Sequence, residues 1–198
     1  MREVSIQRLS GDDLNACLRE LARLRIRVFR DYPYLYEGGT DYEEKYLQTY
    51  ADAPDSVMVL AKEGEAVVGA SSGLPLVAET PNVIQPFTAR GYDPARIFYY
   101  GESVLLPEYR GLGLGKRFFA EREAHVRELG RFDIVCFCAV ERPVDHPRRP
   151  VNYRPLDDLW SRQGFVRHPE LRATFSWRDL DETTESPKPM VFWLKRLD

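Results

Sequence analysis

Nowhere does the chain run to the roughly 18 consecutive apolar residues that a membrane-spanning helix needs, so no bilayer span is expected. Cysteine is scarce. There are three, at Cys17, Cys136 and Cys138, an odd number that argues against a disulfide framework and for reduced thiols in a reducing compartment. Charge of one sign is lacking too: 31 acidic residues stand against 28 basic ones, for a net charge of −3. That excludes the strongly basic footprint of a nucleic-acid binder. The opening Met1-Arg2-Glu3-Val4 lacks the charged-then-apolar order of a secretory leader. The expectation is a cytoplasmic protein with no membrane or nucleic-acid partner. Neither an internal repeat nor an interdomain linker is visible. What remains is 198 residues, 43% hydrophobic and 30% charged, enough for one core without disulfides or a structural metal. One domain over residues 1–198 is expected.

Val4 to Leu9 alternates apolar and polar and reads as a short strand. Ser10 to Asp13 offers helix-start residues, and Leu14, Leu18, Leu21 and Val28 follow at helical spacing, with Cys17 and Leu24 widening the stripe. That helix should break before Pro33. Tyr32 to Gly39 is an aromatic, turn-prone loop. A second helix is expected from Thr40, with Thr40 and Glu43 at capping-box spacing. Its Tyr42, Tyr46 and Tyr50 form a stripe that either packs on the domain or walls a ligand pocket. Val57 to Lys62 and Ala66 to Leu76 read as a hairpin turned at Glu63-Gly64-Glu65. Ala78 to Arg96, broken by Pro81, Pro86, Gly91 and Pro94, reads as a long surface excursion. Strands are expected at Phe98 to Leu106, Phe132 to Val140, Leu171 to Arg178 and Met190 to Leu197. Helices are expected from about Gly115 to Leu129 and from about Pro155 to Gln163. This order predicts a mixed α/β or α+β layered fold with a single core.

The chemistry concentrates in Arg110-Gly111-Leu112-Gly113-Leu114-Gly115-Lys116, between a strand and a helix. Glycine has no Cβ and tolerates positive φ, so this backbone can approach a ligand closely. The loop leads into a helix N-terminus, where unpaired N–H groups and the positive end of the macrodipole coincide. Such a loop suits phosphate oxygens. Arg110, Lys116 and Arg117 add formal charge, and each charged hydrogen bond of this kind contributes roughly 1.5–3 kcal/mol. A Walker A loop would need Gly at 110 and Ser or Thr at 117, and both are Arg. A dinucleotide fingerprint would need Gly at 116, which is Lys.

The spacing Arg110, Gly113, Gly115 resembles the GCN5-related N-acetyltransferase family. So does the lead-in Val104-Leu105-Leu106-Pro107-Glu108-Tyr109, which looks like the family's fourth strand and turn. Gly164-Phe165 looks like the end of its fourth helix. The order of elements is similar over nearly the whole chain. The resemblance implies a single domain with a central, mostly antiparallel twisted sheet flanked by helices, and an acyl-CoA-binding motif at about residues 98–130. It implies direct transfer of an acetyl group from acetyl-CoA to an amine of a small molecule or peptide, with no metal. Ser103, Val104 and Leu105 would pair with the pantetheine arm. Arg110, Gly111, Leu112, Gly113, Leu114, Gly115 and Lys116 would cradle the pyrophosphate.

A carboxylate on the fourth strand is a common base in the family, and Glu102 lies there; the alternative is a solvated strand end. The family often places a Tyr four residues before the terminal Gly-Phe as the acid. Here that residue is Trp160, which has no phenolic proton. Tyr153, seven residues earlier, is a substitute candidate, and solvent is the other. A non-catalytic acyl-CoA sensor and an O-acetyltransferase are the rival readings.

Cys136 and Cys138 face one side of their strand, but their spacing with His125 or His146 fits no common zinc pattern, so buried structural thiols are expected. His146, Arg148 and Arg149 make the one concentrated basic patch. It suits an acidic acceptor group, coenzyme A phosphates, or a solvated loop. Acceptor contacts are expected from Tyr34, Tyr36 and Tyr46, in a pocket for a small molecule with an apolar or aromatic portion. Trp177, Phe192 and Trp193 would either pair with a second copy in a homodimer or fill the core.

Overall fold

The computed structural model describes residues 3–198, so Met1 and Arg2 of the leader reading lie outside the described residues. The chain runs through β1 (Ser5–Leu9), α1 (Leu18–Phe29), α2 (Thr40–Asp52), β2 (Val57–Glu63), β3 (Ala66–Pro75), α3 (Pro81–Thr88), β4 (Ile97–Tyr99), β5 (Ser103–Leu105), α4 (Leu114–Leu129), β6 (Ile134–Val140), α5 (Asp157–Arg162), β7 (Val166–Trp177) and β8 (Ser186–Arg196). One eight-stranded sheet orders them β1-β2-β3-β4-β6-β8-β7, with β5 paired to β3. Every pairing is antiparallel except β4 with β6. This is the mixed fold that the order of elements predicts, with the mostly antiparallel sheet that the resemblance implies. Among the described residues no helix is long and apolar enough to cross a membrane.

Both faces of the sheet are covered. On one, α1 and α2 set Leu21, Leu24, Leu47 and Tyr50 against Met58, Leu60 and Leu74. On the other, α4 sets Phe118, Phe119 and Val126 against Val57, Val59, Phe98 and Phe137. A strand buried on both faces reads as a continuous apolar run rather than an alternation, as Val57 to Ala61 does. Trp177, Phe192 and Trp193 are core residues, at most 9% exposed.

Three features depart from the sequence reading, and the tyrosine stripe resolves an alternative it left open. Gly39, not Thr40, caps α2, and no side chain closes the cap. Glu43 leaves the expected capping box because its carboxylate is drawn to the buried Arg25, 2.5 Å away. The tyrosine stripe divides: Tyr42 is exposed, while Tyr50 is fully buried. The expected excursion contains α3. Pro81 stands at its first turn, where the missing N–H costs nothing, and Val83 and Phe87 bury its apolar side. A two-turn helix tolerates Pro86 because few intrahelical bonds are at stake. Finally, the strand expected over Phe98 to Leu106 is two strands separated by Tyr100-Gly101-Glu102.

Candidate active site

The break between β4 and β5 organises the site. β3 pairs its last residues with β4, Leu74 opposite Tyr99, and its earlier residues with β5, Ser71 opposite Ser103. β6 runs parallel to β4 as far as Cys136, whose carbonyl accepts the Tyr100 N–H at 2.7 Å. Beyond that point β6 pairs only with β8, so the sheet opens into a wedge between β5 and β6. Glu102 O accepts from Ser72 N, and Leu106 N donates to Val68 O, both at 3.0 Å. Alternation then turns the N–H and C=O of Ser103 and Leu105 away from β3, toward the wedge. Glu102 is therefore in the interruption and not on a strand.

Two residues lock this interruption. A Cβ on Gly101 would overlap the Tyr50 hydroxyl and lie 2.6 Å from Ser72 Oγ, so only glycine fits. Arg122, on the inner face of α4 and 1% exposed, donates to Ser72 O and Glu102 O at 3.2 Å each and to Ser103 Oγ at 3.0 Å. Its guanidinium lies 4.2 Å from the Tyr100 ring centroid. Burial pulls its pKa down to about 10, and the three oxygens and the ring replace the water it has lost.

Past β5, a short turn at Pro107–Tyr109 leads to Gly111 (φ 79°) and Gly113 (φ 80°), the left-handed cap of α4. Among the described residues, the N–H groups of residues 111–115 donate to no protein acceptor. A Cβ at Gly111, Gly113 or Gly115 would meet nothing within 4 Å, so the amides border open space. Leu114, 4% exposed, pins the helix start into the core, while Leu112 faces out. Lys116 and Arg117 are exposed at the exit. Arg110 donates to Leu105 O at 3.3 Å and lies 3.5 Å from Asp31, tying loop to strand end. These unpaired amides, the room above them and the flanking charges fit a diphosphate.

Two cavities meet at the interruption. The first, about 480 Å3, lies on the α1–α2 side, and Tyr34, Tyr36 and Tyr46 line it. The second, about 490 Å3, fills the wedge and reaches Ser103, Arg149, Tyr153 and Trp160. Tyr34, Gly101, Glu102 and Cys138 line both. Glu102 Oε1 is 2.6 Å from the Arg25 guanidinium, and its Oε2 accepts from Tyr46 Oη at 3.3 Å. Arg25 is only 8% exposed and also stacks 4.3 Å from the Tyr46 ring centroid.

Tyr153 is half-buried. Its ring meets Tyr32 edge-on at 4.7 Å between centroids, and the Arg149 guanidinium lies 5.1 Å away. Burial, then the Tyr32 hydroxyl, raises its pKa. Trp160 packs on Phe137 and Trp193 at 5.0 and 5.1 Å, walling the wedge. Arg148 is exposed beside Asp181, and the His146 ring lies tilted against Tyr32, 5.7 Å between centroids. Cys136 and Cys138 are free and buried. The Cys138 sulfur lies 3.1 Å from Tyr99 Oη, and burial pushes its thiol up to about 12.

The sequence reading missed Arg25, Arg122, Gly101 and Glu79. The two arginines left a signal, since Arg25 follows Leu21 by four residues and Arg122 follows Phe118 by four, each on an apolar face. An arginine there is either an error of pattern or a buried tether.

A wedge with an open strand edge that ends in an amide-lined helix N-terminus is the architecture of an enzyme that holds a long thioester arm and its diphosphate. The chain belongs to the acetyltransferase (GNAT) family, whose sequence model matches residues 21–151, and it is an acetyltransferase that uses acetyl-CoA. A search of curated proteins finds no match by sequence. Among solved structures, yncA from Salmonella typhimurium, determined with its cofactor acetyl-CoA, is 12% identical with TM-score 0.59, over 98% of this chain and 94% of that one. A ribosomal-protein-alanine N-acetyltransferase from Brucella melitensis is 15% identical with TM-score 0.60, over 98% and 99%. Arabidopsis thaliana NAA60, in complex with a bisubstrate analogue, is 10% identical with TM-score 0.61, over 99% and 100%. At these identities the likeness is one of fold.

Proposed function

We propose that the enzyme is an N-acetyltransferase acting on a primary amine carried by an apolar or aromatic body, a small molecule or the end of a peptide. The carrying observation is the charge of the α1–α2 cavity. Glu43, Glu79 and Glu102 line it against the single guanidinium of Arg25, among walls rich in tyrosine. Such a lining attracts an ammonium group and repels a carboxylate or phosphate. It also favours an amine over a hydroxyl acceptor, which brings no positive charge.

Acetyl-CoA supplies a thioester whose carbonyl carbon accepts the amine. The chain's residues hold and orient. The amides of Gly111, Leu112, Gly113, Leu114 and Gly115, with the side chains of Arg110 and Lys116, grip the diphosphate; the Lys116 amide itself is bonded to Gly113 O at 3.1 Å. The edge of Ser103, Val104 and Leu105 receives the pantetheine amides through the outward groups of Ser103 and Leu105. The thioester is thereby laid beside Gly101 and Glu102, where the two cavities join. Glu102, held by Arg25 and Tyr46, receives the acceptor nitrogen. Tyr34, Tyr36 and Tyr46 enclose its body. Tyr153, across the wedge, returns a proton to the sulfur. The three unpaired thiols fit work in a reducing compartment such as the cytoplasm.

The test is thiol release with a panel of arylalkylamines and the matching alcohols, for the wild type and Glu102→Gln. The reading expects turnover with amines only, and at least a tenfold loss in Glu102→Gln with coenzyme A affinity retained. Turnover confined to alcohols, or unchanged in Glu102→Gln, would overturn it.

A further inference from the structure

Glu79 is a third carboxylate in the acceptor cavity, beside Glu43 and Glu102, on a segment that read from sequence as surface loop. It follows the short turn at Leu76–Ala78 after β3, and its Oε2 accepts from Thr80 N at 3.2 Å. Among the described residues it has no ion-pair partner. The cavity's one guanidinium is committed elsewhere, since Arg25 lies 2.5 Å from Glu43 and 2.6 Å from Glu102. Glu79 therefore faces the cavity as an uncompensated carboxylate on the acceptor's side of the junction.

From this placement we infer that Glu79 is the base of the reaction: it takes the proton from the acceptor's ammonium group while the Arg25-tethered Glu102 holds the nitrogen. The inference rests on the amine reading of the same cavity. In the step, one N–H bond of the ammonium breaks and its proton passes to a Glu79 oxygen. The freed lone pair forms the N–C bond as the C–S bond breaks. Tyr153 protonates the departing sulfur, the second nitrogen proton restores its phenol, and Glu79 gives its own proton to solvent. No further reactant is required.

The surroundings fit this role. Burial pushes the Glu79 carboxyl up to about 7; the Thr80 N–H opposes the shift and the nearby Glu102 adds to it. The ideal base has its pKa near the working pH. The groups that feel its charge are Tyr46 and Tyr50 on α2, Tyr99 on β4, Cys136 and Cys138 on β6, and Glu102. Burial drives the three tyrosines and two thiols upward, so each stays neutral through pH 7. Arg25 is raised as well, chiefly by Glu102 against the cost of burial, and stays charged. Unlike those tyrosines, thiols and Arg25, Glu79 changes charge near neutrality.

The experiment measures kcat and KM against pH for 2-phenylethylamine and tryptamine, in wild type, Glu79→Gln and Glu79→Asp. Calorimetric coenzyme A affinity serves as the check on folding. Wild-type kcat/KM should rise with pH and level off just above about 7. Glu79→Gln should lose roughly 100-fold in kcat and lose that acid limb, with coenzyme A affinity unchanged, and Glu79→Asp should recover the limb in part. An active wild type whose profile survives in Glu79→Gln overturns the role of Glu79 alone. A wild type silent on both amines but active on a hydroxyl acceptor overturns the amine reading, and Glu79 with it.

Discussion

Replacing Gly101 by alanine tests the geometry of the interruption between β4 and β5. The added Cβ would overlap the Tyr50 hydroxyl and come within 2.6 Å of Ser72 Oγ and 3.0 Å of Tyr50 Cζ. Tyr50 has no exposed surface and shares a 2.9 Å hydrogen bond with Tyr46, so its ring has nowhere to swing. Residues 101 and 102 are held too, by Gly101 N to Ser72 O and Glu102 N to Ser72 Oγ, both 3.2 Å, and by Arg122 on Glu102 O. Relief requires either bond to open or Glu102 to shift. Overpacking of this kind costs about 1–3 kcal/mol, and a misplacement of about 1 Å at a reacting centre costs about 100-fold in rate. Urea unfolding and acetyl transfer measured together should show both losses, while coenzyme A affinity changes little because the phosphate loop lies elsewhere. Adding Tyr50→Phe removes the overlapping oxygen and should return part of the stability. A Gly101→Ala protein as stable and as active as the wild type would refute the reasoning.

Two further outcomes are expected. Gly113→Val forces a branched side chain into a φ of 80° and fills the open space above the amides; coenzyme A affinity by calorimetry should fall about 100-fold, or roughly 2.7 kcal/mol, and retained affinity would mean the glycine serves another purpose. The folded-state pKa of Glu79 is raised to about 7, so its protonated form adds stability at low pH that is lost as pH rises from about 4.5 through 7; the wild-type unfolding midpoint should fall over that window relative to Glu79→Gln, and parallel curves would contradict the shift.

The phosphate loop was legible because its chemistry is local: Arg110 to Lys116 carries the glycines, the charge and the helix start in consecutive residues. The layered fold was legible for the same reason, through runs such as Val57 to Ala61. The acceptor cavity was not. Arg25, Glu79 and Glu102 lie on α1, after β3 and after β4, and only the folded chain brings them together. Capping-box spacing misled at Thr40 because tertiary charge claimed Glu43 for Arg25. Proline punctuation misled at α3 because burial of Val83 and Phe87 outweighed the loss of one backbone donor at Pro86. The break at Tyr100 to Glu102 sits inside an apolar run, and nothing local marks it except Gly101, whose need for a bare Cα comes from Tyr50.

The most direct test of the account is a crystal structure of the protein with coenzyme A. The diphosphate oxygens should lie within about 2.7–3.2 Å of N–H groups among residues 111–115, with the pantetheine arm along Ser103 and Leu105 and the sulfur beside Glu102. Coenzyme A bound with its diphosphate away from the start of α4, or its thiol outside the junction of the two cavities, would contradict it.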